Sequence, residues 1–219
     1  MHTARLLGCS ALLLAPMLVG AQDTHPFADS WFWGVKGGQT IFRTEIAKTT
    51  APVIGAEWLI TRSNVALHVG LDQSFFDATS TVTDAPTRGV VRSVDIRDLR
   101  RFTMSAYAFP LTYWASVRPY AGVGFAVSVI PRATPQGEQY ASPEARDTVL
   151  ARVHDARARV SLVGTVGVQA QYKAFAPFVQ AQVMPTPGRN QFLINGEGFT
   201  YVIAGGLRIN AATAIERLR

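Results

Sequence analysis

The sequence predicts an all-β fold, an eight-stranded antiparallel up-and-down barrel that crosses a membrane, and three observations carry that prediction. Eight stretches alternate large apolar residues with small or polar ones at a period of two. Hydrophobic residues make up 48% of the chain and charged residues only 16%, low beside the roughly 25% typical of soluble domains. Beyond the first residues, no segment offers the roughly 18 consecutive apolar residues of a membrane helix. So apolar a chain, with no helix to place in lipid, either buries a β core or turns alternate strand residues toward lipid.

The leader comes first. Residues 1–21 combine one positive residue, Arg5, with an apolar run over 6–19 and the ending Val19-Gly20-Ala21. That is the pattern of a signal peptide cut before Gln22. Pro16 and Gly20 interrupt the run, which is too short to span a bilayer as a helix. Leu6-Leu7-Gly8-Cys9 resembles a lipoprotein cleavage box, but the apolar run continues well past it, so lipidation is not expected. Cys9 is the only cysteine, and its loss with the leader leaves a mature chain without disulfide or thiol chemistry. A periplasmic segment is then expected over 22–30, the barrel over 31–210 and a short tail over 211–219.

The formal charge is +6, carried mainly by arginine, since the lysines are only Lys36, Lys48 and Lys173. A basic balance can signal nucleic acid. For an exported chain, anionic lipid head groups and surface polysaccharide are the expected partners instead.

Strands are expected at 31–42, 52–60, 65–76, 94–109, 118–130, 159–173, 177–185 and 199–210. Most are near the ~9–11 residues that a tilted strand needs to cross a bilayer. In the third, Val65, Leu67, Val69 and Leu71 share one face, and Ala66, His68, Gly70 and Asp72 share the other. The fifth sets Ala121, Val123, Phe125, Val127 and Val129 against Tyr120, Gly122, Gly124, Ala126 and Ser128. The sixth sets Val160, Leu162, Val166 and Val168 against Ser161, Thr165, Gln169, Gln171 and Lys173. The eighth sets Phe199, Tyr201, Ile203, Leu207 and Ile209 against Thr200, Ala204, Gly206 and Arg208.

A soluble sandwich would bury the apolar face; a membrane barrel would turn it to lipid. Glycine favours the barrel. Gly122, Gly124 and Gly206 weaken a solvated strand face but make room in a narrow lumen. The connections, at 43–51, 61–64, 77–93, 110–117, 131–158, 174–176 and 186–198, are read as alternating long and short, as external loops and periplasmic turns do. Within the long ones, 77–93 shows no apolar period. The charged run 144–159 is expected to be a mobile loop rather than an amphipathic helix. Arg88, Arg92, Arg97, Arg100 and Arg101 cluster where the fourth strand emerges, as candidates for lipid phosphates or simply a solvated face. Aromatics map to two girdles: Trp31, Trp33, Trp58, Tyr113, Trp114, Tyr172 and Phe175 near the periplasmic ends, and Phe42, Phe75, Phe76, Phe192 and Phe199 near the outer ends.

Arg118-Pro119-Tyr120-Ala121-Gly122-Val123-Gly124 resembles the fifth-strand opening of small outer-membrane barrels of the OmpA/OmpX/OmpW type, and Gly206-Leu207-Arg208-Ile209 resembles their closing strand. The resemblance spans the mature chain as pattern. It implies a bacterial outer-membrane location and handling by the barrel-assembly machinery. The chain departs from the family in adding 211–219 after the last strand.

Lys36, Glu57, His68, Asp72, Arg101, Lys173 and Arg208 are assigned to the lumen face. An unpaired ion in a confined site costs several kcal/mol, so the expectation is a structural plug in which Lys36 or Arg101 neutralises Glu57 and Asp72. No catalytic site is expected. His68, Asp72 and Ser74 share a strand face, but steps of two and four residues separate Cβ atoms by roughly 7 and 13 Å, too far for a triad. Neither a cofactor nor a metal is expected, since no Cys or His pair has ligand spacing. The sequence therefore reads as a monomeric outer-membrane barrel with a structural or surface-interaction role. Its expected partners are outer-membrane lipids, lipopolysaccharide among them, and no nucleic acid. Two alternatives are an OmpW-like channel or carrier for apolar solutes, with an apolar vestibule, and a secreted soluble barrel with its bulky residues inside.

Overall fold

The computed structural model describes residues 27–84, 91–110, 116–137, 139–186, 191–196 and 198–213. The expected leader, Arg88, Tyr113, Trp114 and the tail from residue 214 lie outside the described residues. Nine strands and one helix are present among them: β1 Ser30–Arg43, β2 Lys48–Arg62, β3 Val65–Thr83, β4 Val91–Ala108, β5 Val117–Val129, β6 Arg132–Pro135, α1 Pro143–Asp155, β7 Ala158–Ala170, β8 Phe175–Pro185 and β9 Phe199–Thr213. Eight of the strands pair in antiparallel sequence, and β1 pairs with β9 to close the ring. β6 is a short addition to the edge of β4.

Side-chain direction separates the two architectures that the alternation allowed. Val35, Val123 and Leu162 are 66%, 72% and 74% exposed, whereas the inward Lys36, Ala126 and Val163 are buried. The bulky residues point out, so the barrel is of the membrane kind. The inward glycines make room for large neighbours. A Cβ at Gly122 would lie 2.2 Å from Tyr107 Cδ1, and one at Gly206 would lie 2.8 Å from Phe178 Cζ.

At 19 and 18 residues, β3 and β4 run far beyond what a bilayer crossing requires. A bulge divides the hairpin: register jumps between Ser74 and Asp77 on β3, opposite Asp98 of β4, whose φ is 62°. Such a bulge bends the pair. Below it the inward residues are mostly polar. Above it Phe76, Ala78, Ile96 and Val94 turn into an apolar cluster.

α1 closes this end. Its N-cap Ser142 accepts from Ala145 N–H at 3.2 Å, and Pro143 suits the first turn because its missing N–H would have no helical partner. Val149 and Val153 then pack against Ile130, Phe192, Leu193 and Ile194 over the barrel mouth. This corrects the expectation of a mobile loop over 144–159. A run so charged gives little amphipathic signal, and the helix gains its stability from tertiary packing. Phe42 and Phe192 belong to the same cap and not to a girdle.

The opposite end carries its own seal, of Phe27, Phe32, Leu59, Tyr107, Phe109 and Tyr120. Phe27, just ahead of β1, meets Phe109 edge-on at 4.7 Å. Outside, Trp33 stacks on Trp58 at 5.4 Å, with Trp31 edge-on to the same ring.

Connection lengths do not alternate strictly. β1 and β2 are joined by residues 44–47 alone, fewer than the 109–116 that join β4 to β5. Thr44 explains the tight first turn: its hydroxyl accepts from the N–H groups of Ile46 and Ala47. That lets β2 start pairing at Lys48 rather than near Pro52.

Overpacking tests this interior. Gly122→Val is expected to lower stability by about 1–3 kcal/mol, because its side chain has no space beside Tyr107. Gly37→Ala, whose Cβ would come no nearer than 3.9 Å to Val53 O, is expected to leave the urea midpoint almost unchanged. Tryptophan fluorescence during urea unfolding measures both.

Candidate functional site

The candidate site is the middle of the lumen. Lys36 comes from β1, Glu57 from β2, His68 and Asp72 from β3, Arg101 from β4 and Arg208 from β9, and all six are buried and face inward. Lys173 does not join them. β7 ends at Ala170, so Lys173 sits exposed in the following turn, with φ 55°.

Glu57 is the hub. Its Oε1 accepts from Arg208 Nε at 2.5 Å, while Oε2 lies 3.4 Å from His68 Nε2 and 3.7 Å from Lys36 Nζ. Lys36 Nζ is nearer to Asp72 Oδ1, at 2.9 Å. Lys36 thus takes the role that the sequence left open between it and Arg101, and Arg208 supplies the second cation. Arg101 stands apart, donating from Nε to Ser128 Oγ at 3.4 Å.

Both ion pairs reach across a glycine. By register Gly34 lies between Glu57 and Arg208, and Gly55 lies between Lys36 and Asp72. A Cβ at Gly34 would come within 3.0 Å of Arg208 Cγ, and one at Gly55 within 2.2 Å of Asp72 Oδ1. Bare backbone on the intervening strand lets partners two strands apart meet directly.

Neutral groups complete the network. Arg208 Nη1 donates to Gln169 Oε1 at 2.5 Å, its guanidinium lies 3.9 Å over the Phe178 ring, and Nη2 is 3.5 Å from Tyr120 OH. Tyr120 donates to Gln180 Oε1 at 3.0 Å. His68, Tyr107 and Tyr120 form a stack with centroid separations of 4.8 and 5.1 Å. Tyr120 and Gln169 were on the expected inward faces. Being uncharged, they gave no signal that they belonged to an ionic cluster.

The serine and histidine of the third strand are both engaged elsewhere. Ser74 Oγ is hydrogen-bonded with Thr40 Oγ1 at 2.9 Å, and His68 is fully buried against Tyr107. The arginines near the top of β4 have protein partners. Arg92 pairs with Asp84 at 2.9 Å, Arg97 with Asp77 at 2.7 Å, and Arg100 donates to Gln73 at 3.1 Å.

No family model matches the sequence, and no curated protein matches it. Among solved structures, surface protein A (NspA) of Neisseria is similar at TM-score 0.55 and 11% identity, over 82% of this chain and 96% of that one. Also found are outer membrane protein OprG of Pseudomonas aeruginosa, at TM-score 0.48 and 12% identity over 84% and 98%, and the Yersinia pestis attachment invasion locus protein Ail, bound to the heparin analogue sucrose octasulfate, at 0.47 and 11% over 83% and 99%. The likeness to the neisserial protein concerns the fold: this chain has the closed eight-stranded barrel of small outer-membrane proteins.

Removing one member of a buried ionic network strands the others. Glu57→Ala is expected to cost about 3–5 kcal/mol, since Arg208 loses its counter-ion. Asp77→Ala removes an exposed pair and is expected to cost about 0–1 kcal/mol. Urea unfolding in detergent micelles compares the two.

Proposed function

We propose that the protein is a monomeric integral protein of the bacterial outer membrane, with a non-catalytic structural or surface-interaction role and a closed lumen. The observation that carries this reading is the layered interior. A buried ionic network fills the middle, with an apolar cap under α1 at one end and an aromatic cluster around Phe27 and Phe109 at the other. An eight-stranded barrel is filled by its own side chains, and among the described residues an apolar cluster packs at each end of the lumen.

A carrier for apolar solutes needs an apolar vestibule. The apolar residues at the α1 end are instead packed on one another. The exposed Val, Leu, Ile and Phe of the strands suit acyl chains, and the tryptophans around Trp58 suit an interfacial zone. In this reading outer-membrane lipids, lipopolysaccharide included, surround the belt, the barrel-assembly machinery inserts the chain, and the α1 end is the part presented to partners.

Fractionation tests the location: the protein is expected in the outer-membrane fraction, soluble only in detergent, with gel mobility that changes on boiling. Planar-bilayer recording tests the closure. Reconstituted protein is expected to give no steady current; stable nanosiemens-scale openings would overturn the closed lumen.

A further inference from the structure

We propose that the lumen binds one small monatomic anion, chloride in its natural setting, at Arg101 beneath the apolar cap. Among the described residues, the buried inward charges are the cations Lys36, Arg101 and Arg208 and the carboxylates Glu57 and Asp72. Arg208 and Lys36 engage both carboxylates. Arg101 keeps a single hydrogen bond, to Ser128, and its buried Nη1 has no partner. Asp72 is opposite Arg101 in register and acts on it electrostatically, but its Oδ1 is paired with Lys36 and no hydrogen bond joins it to Arg101. On the other side the register runs from Arg101 through Ser128 to Arg159, so the next inward charge is a second, partly buried arginine.

Space and donors coincide there. Arg101 lines a cavity of about 20 Å³ with Ser128, Ser161 and Thr200, backed by apolar side chains such as Leu99 and Phe192. A guanidinium with three hydroxyls, and no carboxylate in the wall, selects for negative charge. A water needs roughly 10–15 Å³, so the cavity has room for one small ion such as a halide. A closed barrel could equally hold water at this point, so loss of the anion site would leave the proposed function standing.

The test uses the mature protein folded in detergent. Its unfolding temperature is followed in sodium chloride, bromide and gluconate at equal ionic strength. Chloride and bromide are expected to raise it saturably, by about 4 °C at ten times the dissociation constant, and gluconate is not. Arg101→Gln is expected to abolish the rise. Crystals of the wild type grown in bromide should show an anomalous peak within hydrogen-bond distance of Arg101, which decides the matter even if the variant fails to fold. Equal responses to all three salts with no peak at Arg101 would overturn the proposal, whether water fills the cavity or Arg101 swings to Asp72.

Discussion

Closing eight strands into a ring sends every second residue into a space too narrow for water-solvated ions, and the contact between Glu57 and Arg208 is what makes that tolerable. A carboxylate and a guanidinium held at 2.5 Å without solvent need further partners for their remaining donors and acceptors. Gln169, Tyr120, His68 and Lys36 provide them. The pair can form only because Gly34, on the strand between them, leaves its inward position empty. Gly55 does the same for Lys36 and Asp72. Polar filling and glycine placement are therefore one arrangement.

That arrangement also sets the vertical order of the interior. Charges gather at mid-height, where neighbouring strands place Lys36, Glu57, Asp72 and Arg208 within reach of one another. Toward the α1 end the bulge around Asp98 bends the β3–β4 hairpin, and apolar side chains take over. Toward the other end, aromatic rings stack from His68 through Tyr107 to Tyr120 and on to Phe109. The outer surface follows a separate logic, since its residues meet lipid and need only be apolar. One strand thus serves two solvents, and period-two alternation is how the chain encodes that.

Much of this was legible in the residue order. Each of the eight barrel strands covers one of the stretches the alternation marked, with shifted ends in β2, β3 and β7. The faces of Val65–Asp72 and Phe199–Arg208 have the expected direction. So do the six buried lumen residues. What misled were features that local pattern does not encode. Lys173 shares a parity with Gln169, but parity holds only while the strand continues, and β7 ends at Ala170, ahead of the turn at Lys173. Phe42 and Phe192 look like girdle aromatics until α1 is known to cover them. The helix itself is hidden by its charges, because Val149 and Val153 reveal an apolar face only once Phe192 and Leu193 lie beneath it.

The sequence by itself determined the eight strands of the ring, the closed topology and which face of each strand is greasy, because side-chain direction repeats every two residues regardless of neighbours. The short β6 it did not mark. Only the tertiary structure decided which cation meets which acid. Pairing across two strands depends on register and on what the middle strand places in between, so Gly34 and Gly55 acquire meaning only once β1, β2, β3 and β9 are aligned. The sealing of the barrel by α1 was likewise settled by long-range packing, since a thirteen-residue charged helix has too little apolar surface to form without the cap it covers.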